Sequence, residues 1–411
     1  MARSRSTSKH RLAVIQPLIP HYRIPLFEHI AAGPEVELVV LADIERETQL
    51  NQYRGSGKFE VRHLPFNLIG PFVFRPGLRS LLQDVRPDAV LFHGNPREIF
   101  LLSHMKWCRR NGIPFGVWGM FFRVGKRRPV SEYLMSRMGK LAKVVLCYGE
   151  RDGREMRQRG TDPNKIVPLY NSIDQSRIAA VRDAITPEEI ESFRKARNLC
   201  NRKVILQVVR MTGIKRTDVL LSAFAQLRRQ RCDVELVLIG GGPLEDKMKR
   251  LAQDLGILDG VRFLGPLYDE RQLALWYSLA DVFAMATCIG LSIHHAMCYG
   301  VPVVTDDDPR TQTAEFEVLQ DGVNGLTYRS GDLGDFCRKL CSILDHPDLA
   351  GAMSAAGKRR VEEVYNIQRM VERFHAGIEP LFDPCRTSPA PSTSGLELHR
   401  ALRRQRDLLH Q

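Results

Sequence analysis

Arg210 and Lys215 stand five residues apart in Val209-Arg210-Met211-Thr212-Gly213-Ile214-Lys215, directly after an apolar run. On a strand-to-helix loop, a guanidinium fork and an ammonium can reach the same oxygens, which suits a diphosphate. By spacing alone, two solvated surface cations are the commoner case. Ile239-Gly240-Gly241-Gly242-Pro243 also follows an apolar run. Glycines there let the backbone approach a ligand near Gly241, or merely turn the chain. Thr287-Cys288-Ile289-Gly290-Leu291-Ser292-Ile293-His294-His295 forms a third segment. Gly290, Leu291 and Ser292 would open a helix whose first amides favour an anion. His295, one turn after Leu291, would point the same way. Adjacent helix positions diverge by roughly 100°, so His294 and His295 do not face one metal ion. In the fourth segment, Thr313-Ala314-Glu315-Phe316-Glu317, one or both carboxylates would accept from sugar or ribose hydroxyls, Glu317 being the leading candidate. Asp306-Asp307-Asp308 upstream suggests Mg²⁺, although consecutive loop aspartates are more often solvated.

The elements that must position these residues are written in alternating strand-like and helix-like runs, the pattern of a parallel α/β sheet. The first series contains Leu12–Ile15, Val36–Leu41, Val61–Leu64, Ala89–Phe92, Phe115–Trp118 and Val144–Cys147. The second contains Val204–Val209, Val234–Ile239, Val261–Leu264, Val282–Met285, Val301–Thr305 and Leu326–Tyr328. The expected architecture is two Rossmann-like α/β domains facing across a cleft, with ligands at the carboxyl ends of the strands. The joint falls near Asn171–Thr186. An N-terminal domain is expected over 11–175, a C-terminal one over 176–365 and a C-terminal helix over 366–383. Residues 1–10, and the Pro/Ser/Thr-rich then basic stretch 384–411, have the composition of disordered segments.

The chain has 411 residues and a formal net charge of +13. Residues 1–170 carry 28 Lys+Arg against 15 Asp+Glu, whereas residues 171–411 carry 32 of each. The whole surplus therefore lies in the first half, which points to a polyanionic partner for that half alone. Nine scattered cysteines without metal spacing indicate a reducing compartment. No run of about 18 apolar residues marks a spanning helix. A cytoplasmic protein is expected, able to sit peripherally on the inner face of a membrane.

The four segments, in this order, resemble the retaining glycosyltransferases of family 4, of the GT-B fold. The resemblance runs from about Arg11 to Phe374. It includes Asn171-Ser172-Ile173-Asp174, the glycine loop, Val261-Arg262-Phe263-Leu264-Gly265, Ala280-Asp281-Val282-Phe283 and Ala296-Met297-Cys298-Tyr299-Gly300-Val301-Pro302-Val303-Val304. It implies transfer of a sugar from a UDP-, GDP- or ADP-linked donor, with retention of configuration and neither metal nor cofactor. Arg210 and Lys215 fall on the family's diphosphate-holding pair, where they would stabilise the leaving group's charge. Asn171, Gly241, Gly290, Leu291, Ser292, Thr287 and Glu317 would bind the donor. The family's pair of glutamates is replaced here by Thr287 and His295, side chains that can still hydrogen-bond sugar or ribose hydroxyls.

In the first half, His21-Tyr22-Arg23-Ile24-Pro25-Leu26-Phe27 is similar to an opening found in bacterial members that build surface polysaccharides. Tyr22, Arg23 and His93 are the acceptor-side candidates. A histidine usual in the family is replaced by Trp118. Trp118–Arg128 and Ile69–Arg75 interleave aromatics with cations, as suits an anionic membrane interface and a lipid-linked or glycan acceptor. No nucleic-acid-binding motif is present. Two other classes fit the same residues: another GT-B nucleotide-sugar enzyme, such as an epimerase, and a non-catalytic paralogue.

Overall fold

The computed structural model describes residues 9–46, 58–122 and 129–383. The chain divides into two units, one formed by the residues up to Tyr170 and those from Gln368 onward, the other by Asn171–Ile367. The long helix Ile367–Phe382 thus belongs almost wholly to the first unit rather than standing apart.

The first unit is built on β1 (His10–Ile15), β2 (Val36–Ala42), β3 (Glu60–His63), β4 (Asn67–Ile69), β5 (Phe72–Phe74), β6 (Ala89–His93), β7 (Phe115–Gly119), β8 (Val144–Cys147) and β9 (Ile166–Pro168). Seven of these form one sheet in the order β3-β2-β1-β6-β7-β8-β9, and β4 and β5 form a separate hairpin. The pairings within the large sheet are parallel. Helices on both faces explain why its central strands are apolar without alternation, Leu12, Ala13, Val14 and Ile15 being fully buried.

The second unit carries β10 (Lys203–Val208), β11 (Val234–Ile239), β12 (Val261–Gly265), β13 (Val282–Ala284), β14 (Val303–Asp306) and β15 (Gly325–Tyr328). Their order is β12-β11-β10-β13-β14-β15, again parallel. Helices enter on local signals: Thr186 caps the amide of Glu189 with Pro187 in the first turn, and Asp269 caps Gln272. In each unit the strand order reverses once, between β1 and β6 and between β10 and β13. Loops leaving two such strands diverge to opposite faces and open a crevice at their carboxyl ends. The interleaved aromatics and cations of Ile69–Arg75 do not mark a strand, yet β4 and β5 pair antiparallel there, Ile69 opposite Phe72.

Candidate functional site

At the switch point of the second unit, β10 and β13 pair side by side. The loop after β10 carries Arg210 and Lys215; the loop after β13 carries Thr287 to Leu291. Lys215 Nζ donates to the carbonyl oxygen of Cys288 at 2.5 Å. A Cβ added at Gly290 would lie 3.5 Å from the same Nζ, so the ammonium sits against the Gly290 turn. Arg210 is exposed and has no ion pair or side-chain hydrogen bond among the described residues. Its charge is available to a ligand.

The glycine loop shapes this arrangement from behind. Val209 N donates to Ile239 O, Met211 N to Gly241 O and Leu244 N to Met211 O. The two loops are thereby zipped backbone to backbone. At Gly240 (φ 119°) a Cβ would fall 2.0 Å from Val209 O, and at Gly242 (φ 154°) 2.5 Å from Met211 O. Only glycine permits either approach. Gly241 has ordinary φ and meets Pro266 at 3.1 Å.

Of the amides expected to face a ligand at the Gly290 turn, that of Gly290 is already bonded, whereas those of Leu291 and Ser292 have no partner among the described residues. Ile289 N donates to Gln312 Oε1 (3.0 Å) and Gly290 N to Thr313 Oγ1 (3.1 Å), while the Ser292 hydroxyl donates to Ile289 O. The side chains therefore pin the turn, which adopts positive φ at Cys288 (52°) and Gly290 (63°). Gln312 is fully buried, and its Nε2 also donates to Thr305 Oγ1 and to Asp306. It is a hub that no sequence signal announced. The helix beyond, Ser292–Cys298, has only seven residues.

Leu291 and His295 are half-buried, His295 edge-on to the ring of Tyr277 at 6.4 Å. His294 is fully buried with neither ring nitrogen bonded, and burial pushes its pKa down to about 3. Thr287 is buried, donates to Thr311 O at 3.3 Å, and lines a pocket of about 430 Å³ with Arg216, Asp306, Tyr328 and Ser330. Burial raises the pKa of Asp306 and of the Cys288 thiol. For Cys288, Lys215 opposes that rise and Glu315 and Asp306 reinforce it, so one thiol senses all three charges.

Asn171 meets this loop cluster through Glu315, its Nδ2 donating to Glu315 Oε1 at 2.5 Å. Both are buried. The carboxylate tied to the Asn-Ser-Ile-Asp segment is thus Glu315, not Glu317. Glu317 is half-buried and offers its backbone carbonyl to Arg360 and Tyr365. The two stand on one short helix, Ala314–Val318, and two residues of rotation separate inward from outward. Among the described residues no group of three or more His, Cys, Asp or Glu side chains is placed to hold a metal ion.

In the first unit, Arg23 and His93 come together at the other switch point. Arg23 is 4% exposed, its guanidinium lying 4.8 Å from the ring centre of Trp118, 5.1 Å from Tyr148 and 5.8 Å from Tyr22. His93 ends β6 opposite Trp118 on β7, with Nδ1 unbonded. Its pKa is pushed down to about 3 by burial, then by Arg75 and Arg23. Arg75 is itself buried and paired with Glu98 at 3.1 Å.

The interleaved aromatics behave differently from expectation. Trp118, Phe121 and Phe122 are buried, Trp118 packing against Phe27 and Phe374. Trp118 is core because β7 lies inside the sheet, and Phe121, beyond the strand's end, joins the same unit's hydrophobic core. The cations at 123–128 lie outside the described residues, as do the segments 1–8 and 384–411. Among the described residues of the first unit, exposed apolar side chains gather on the β4–β5 hairpin, where Leu68, Ile69 and Phe72 are 56%, 60% and 46% exposed; Val130 and Tyr133 are exposed as well. Val73 exchanges backbone bonds with Arg97 and Ile99, bringing exposed Ile99 and Phe100 alongside. Among the described residues no helix is long and apolar enough to cross a membrane.

The chain is 29% identical over 241 residues to the GDP-mannose-dependent alpha-(1-6)-phosphatidylinositol monomannoside mannosyltransferase of Mycolicibacterium smegmatis, covering 56% of this chain and 60% of that one. A GDP-mannose-dependent monoacylated alpha-(1-6)-phosphatidylinositol monomannoside mannosyltransferase of Corynebacterium glutamicum is 28% identical over 388 residues, 90% of this chain and 97% of that one. Several relatives are matched over only part of their length, between 46% and 60%. Among solved structures, Anabaena Alr3699/HepE in complex with UDP and glucose superposes with a TM-score of 0.70 at 14% identity, covering 89% of this chain and 98% of that one, a likeness of fold. The two parallel α/β sheets are those of the GT-B fold. Within the second unit, residues 202–346 match the family model described as glycosyl transferases group 1.

Proposed function

We propose that this chain is a glycosyltransferase that moves a sugar from a nucleotide-sugar donor to a lipid-linked acceptor, with retention of configuration and without a metal. The observation that carries this reading is the pair Arg210 and Lys215 on one loop at the switch point. One charge is unpaired; the other is held by Cys288 O against the Gly290 turn. Two cations aimed at a diphosphate stabilise the charge that develops as the glycosidic bond breaks, the usual largest catalytic contribution. His295, Thr287 and Glu315 supply neutral and charged hydrogen-bonding groups for sugar and ribose hydroxyls.

GDP-mannose is the first donor to test and a phosphatidylinositol-type lipid the first acceptor, since the names of the two relatives above supply both. The exposed apolar hairpin on a first unit with surplus cations supports a peripheral place at the inner membrane face. The experiment is incubation with GDP-mannose, UDP-glucose or ADP-glucose, with and without phosphatidylinositol vesicles. Lipid-dependent release of nucleoside diphosphate, with one glycosylated lipid product, is expected. Sugar isomerisation without acceptor would replace transfer by epimerisation. Silence with all three donors, and no thermal shift from GDP, UDP or ADP, would overturn the enzyme reading.

A further inference from the structure

Arg23 presents an unusual charge balance. Its guanidinium is buried among Trp118, Tyr148 and Tyr22. Those rings cover its faces, and cation–π attraction accounts for that part of its environment. The edges are another matter. A guanidinium has five N–H donors in its plane, and among the described residues none of Arg23's finds an acceptor. None of its nitrogens is among the fully buried atoms that lack a partner, so their edges are open to water or to a ligand's oxygens.

The neighbouring groups offer no relief. The nearby arginine, Arg75, is already neutralised by Glu98 and also reaches Gln16 O. His93 is held neutral by burial, and its Nδ1 lacks a partner, as does Trp118 Nε1. Two buried groups without a partner and one unpaired cation therefore gather where β1, β6, β7 and β8 end side by side, the place an open parallel sheet offers a ligand. Among the described charges that act on His93, Arg75 is balanced by Glu98 and the single positive charge of Arg23 is left over.

We propose that Arg23 anchors a singly charged oxyanion of the acceptor, a phosphodiester, with His93 Nδ1 and Trp118 Nε1 as neutral hydrogen-bonding neighbours. One delocalised cation with a rigid pair of parallel N–H groups matches the two unesterified oxygens of a phosphodiester in charge and in geometry. A phosphomonoester dianion would leave one negative charge unmet. The assignment rests on the transferase reading for the word acceptor; the binding itself is independent of any donor.

The test is isothermal titration of the full chain, without nucleotide sugar, using glycerophosphoinositol, inorganic phosphate, glucuronate and uncharged myo-inositol. The expected result is binding of glycerophosphoinositol, weakened about 10- to 100-fold in Arg23→Gln and less in Arg23→Lys. Unchanged thermal melts of both variants would show that the fold is kept. If Arg23→Gln unfolds, Arg23→Lys alone carries the test. Equal affinity for myo-inositol, or undiminished binding in the folded variants, would overturn the proposal. Binding of glucuronate without glycerophosphoinositol would overturn the phosphodiester assignment. Failure here, with lipid-dependent turnover intact, removes only the anchor; failure of every donor removes the transferase reading and leaves this binding result standing.

Discussion

Lys215 Nζ and the carbonyl oxygen of Cys288, 2.5 Å apart, join the loop after β10 to the loop after β13 across the switch point of the second sheet. The bond fixes an ammonium against the Gly290 turn before any ligand arrives. Arg210, on the same loop, has no such tether. The two cations should therefore respond differently to removal. Arg210→Ala is expected to lower turnover by about 100-fold or more with an unchanged melting temperature. Lys215→Ala is expected to lower turnover similarly and also to cost about 1.5–3 kcal/mol of stability, the worth of a charged hydrogen bond. Nucleoside diphosphate release and urea unfolding of both variants separate these effects. Full activity in Lys215→Ala would end the diphosphate assignment.

The glycine loop makes a sharper geometric prediction. Gly240→Ala places a Cβ 2.0 Å from Val209 O at φ 119°, whereas Gly241→Ala meets only Pro266 and Glu245, at 3.1 and 3.2 Å. Gly240→Ala should lose about 3 kcal/mol or more and damage the Arg210 loop with it. Gly241→Ala should fold with a change of about 1 kcal/mol or less. Equal stability of the two variants in urea would contradict the close approach of the loops.

How far this site could be read from the sequence depends on which contacts carry it. Arg210, Lys215 and the alternation of strands were legible because they lie on periodic elements or at strand ends. Gln312 was not: a lone glutamine between two threonines has no local signature, and its role arises from side-chain contacts with Ile289, Thr305 and Asp306. The bond between Asn171 and Glu315 was not legible for a related reason, since the direction of a short helix decides which of Glu315 and Glu317 reaches that segment. The burial of Trp118 followed from β7's place inside the sheet, which composition does not encode.

Gln312 is accordingly open to an isosteric test. In Gln312→Glu the oxygen facing Ile289 N is kept, but the donor facing Asp306 becomes a second carboxylate. Asp306 is already pushed upward by burial. Like charges in a buried site should cost about 3 kcal/mol or more at pH 8. Part of that loss should return at pH 5.5, where one shared proton converts repulsion into a hydrogen bond. Urea unfolding at the two pH values reads the difference; a penalty independent of pH would show that the two groups do not share a site.

The β4–β5 hairpin predicts a surface effect separable from catalysis. Ile69 and Phe72 are cross-strand neighbours, both exposed at its tip. Replacing both by serine leaves the buried Val73 in place and should not alter the melting temperature by more than about 1–2 °C. Co-sedimentation with anionic phospholipid vesicles should fall about tenfold, since two large apolar side chains no longer enter the interface. Undiminished sedimentation would move any membrane contact elsewhere on the first unit.

Three histidines with lowered pKa values set the expected response to acid. His93 and His294 have pKa values pushed down to about 3, and His104 to about 4, in each case chiefly by burial of the ring. In the unfolded chain each binds a proton near pH 6.5. Between about pH 6.5 and 4 the unfolded state therefore holds more protons. Stability is complete above that window and falls as pH decreases, by at most ~1.4 kcal/mol per pH unit for each ring. His294→Leu isolates one contribution, because neither nitrogen of His294 has a partner to lose. The variant should be at least as stable as the parent at pH 7.5 and should lose stability less steeply towards pH 4.5. Urea midpoints across this range measure both slopes, and identical slopes would show that His294 is not held neutral in the folded chain.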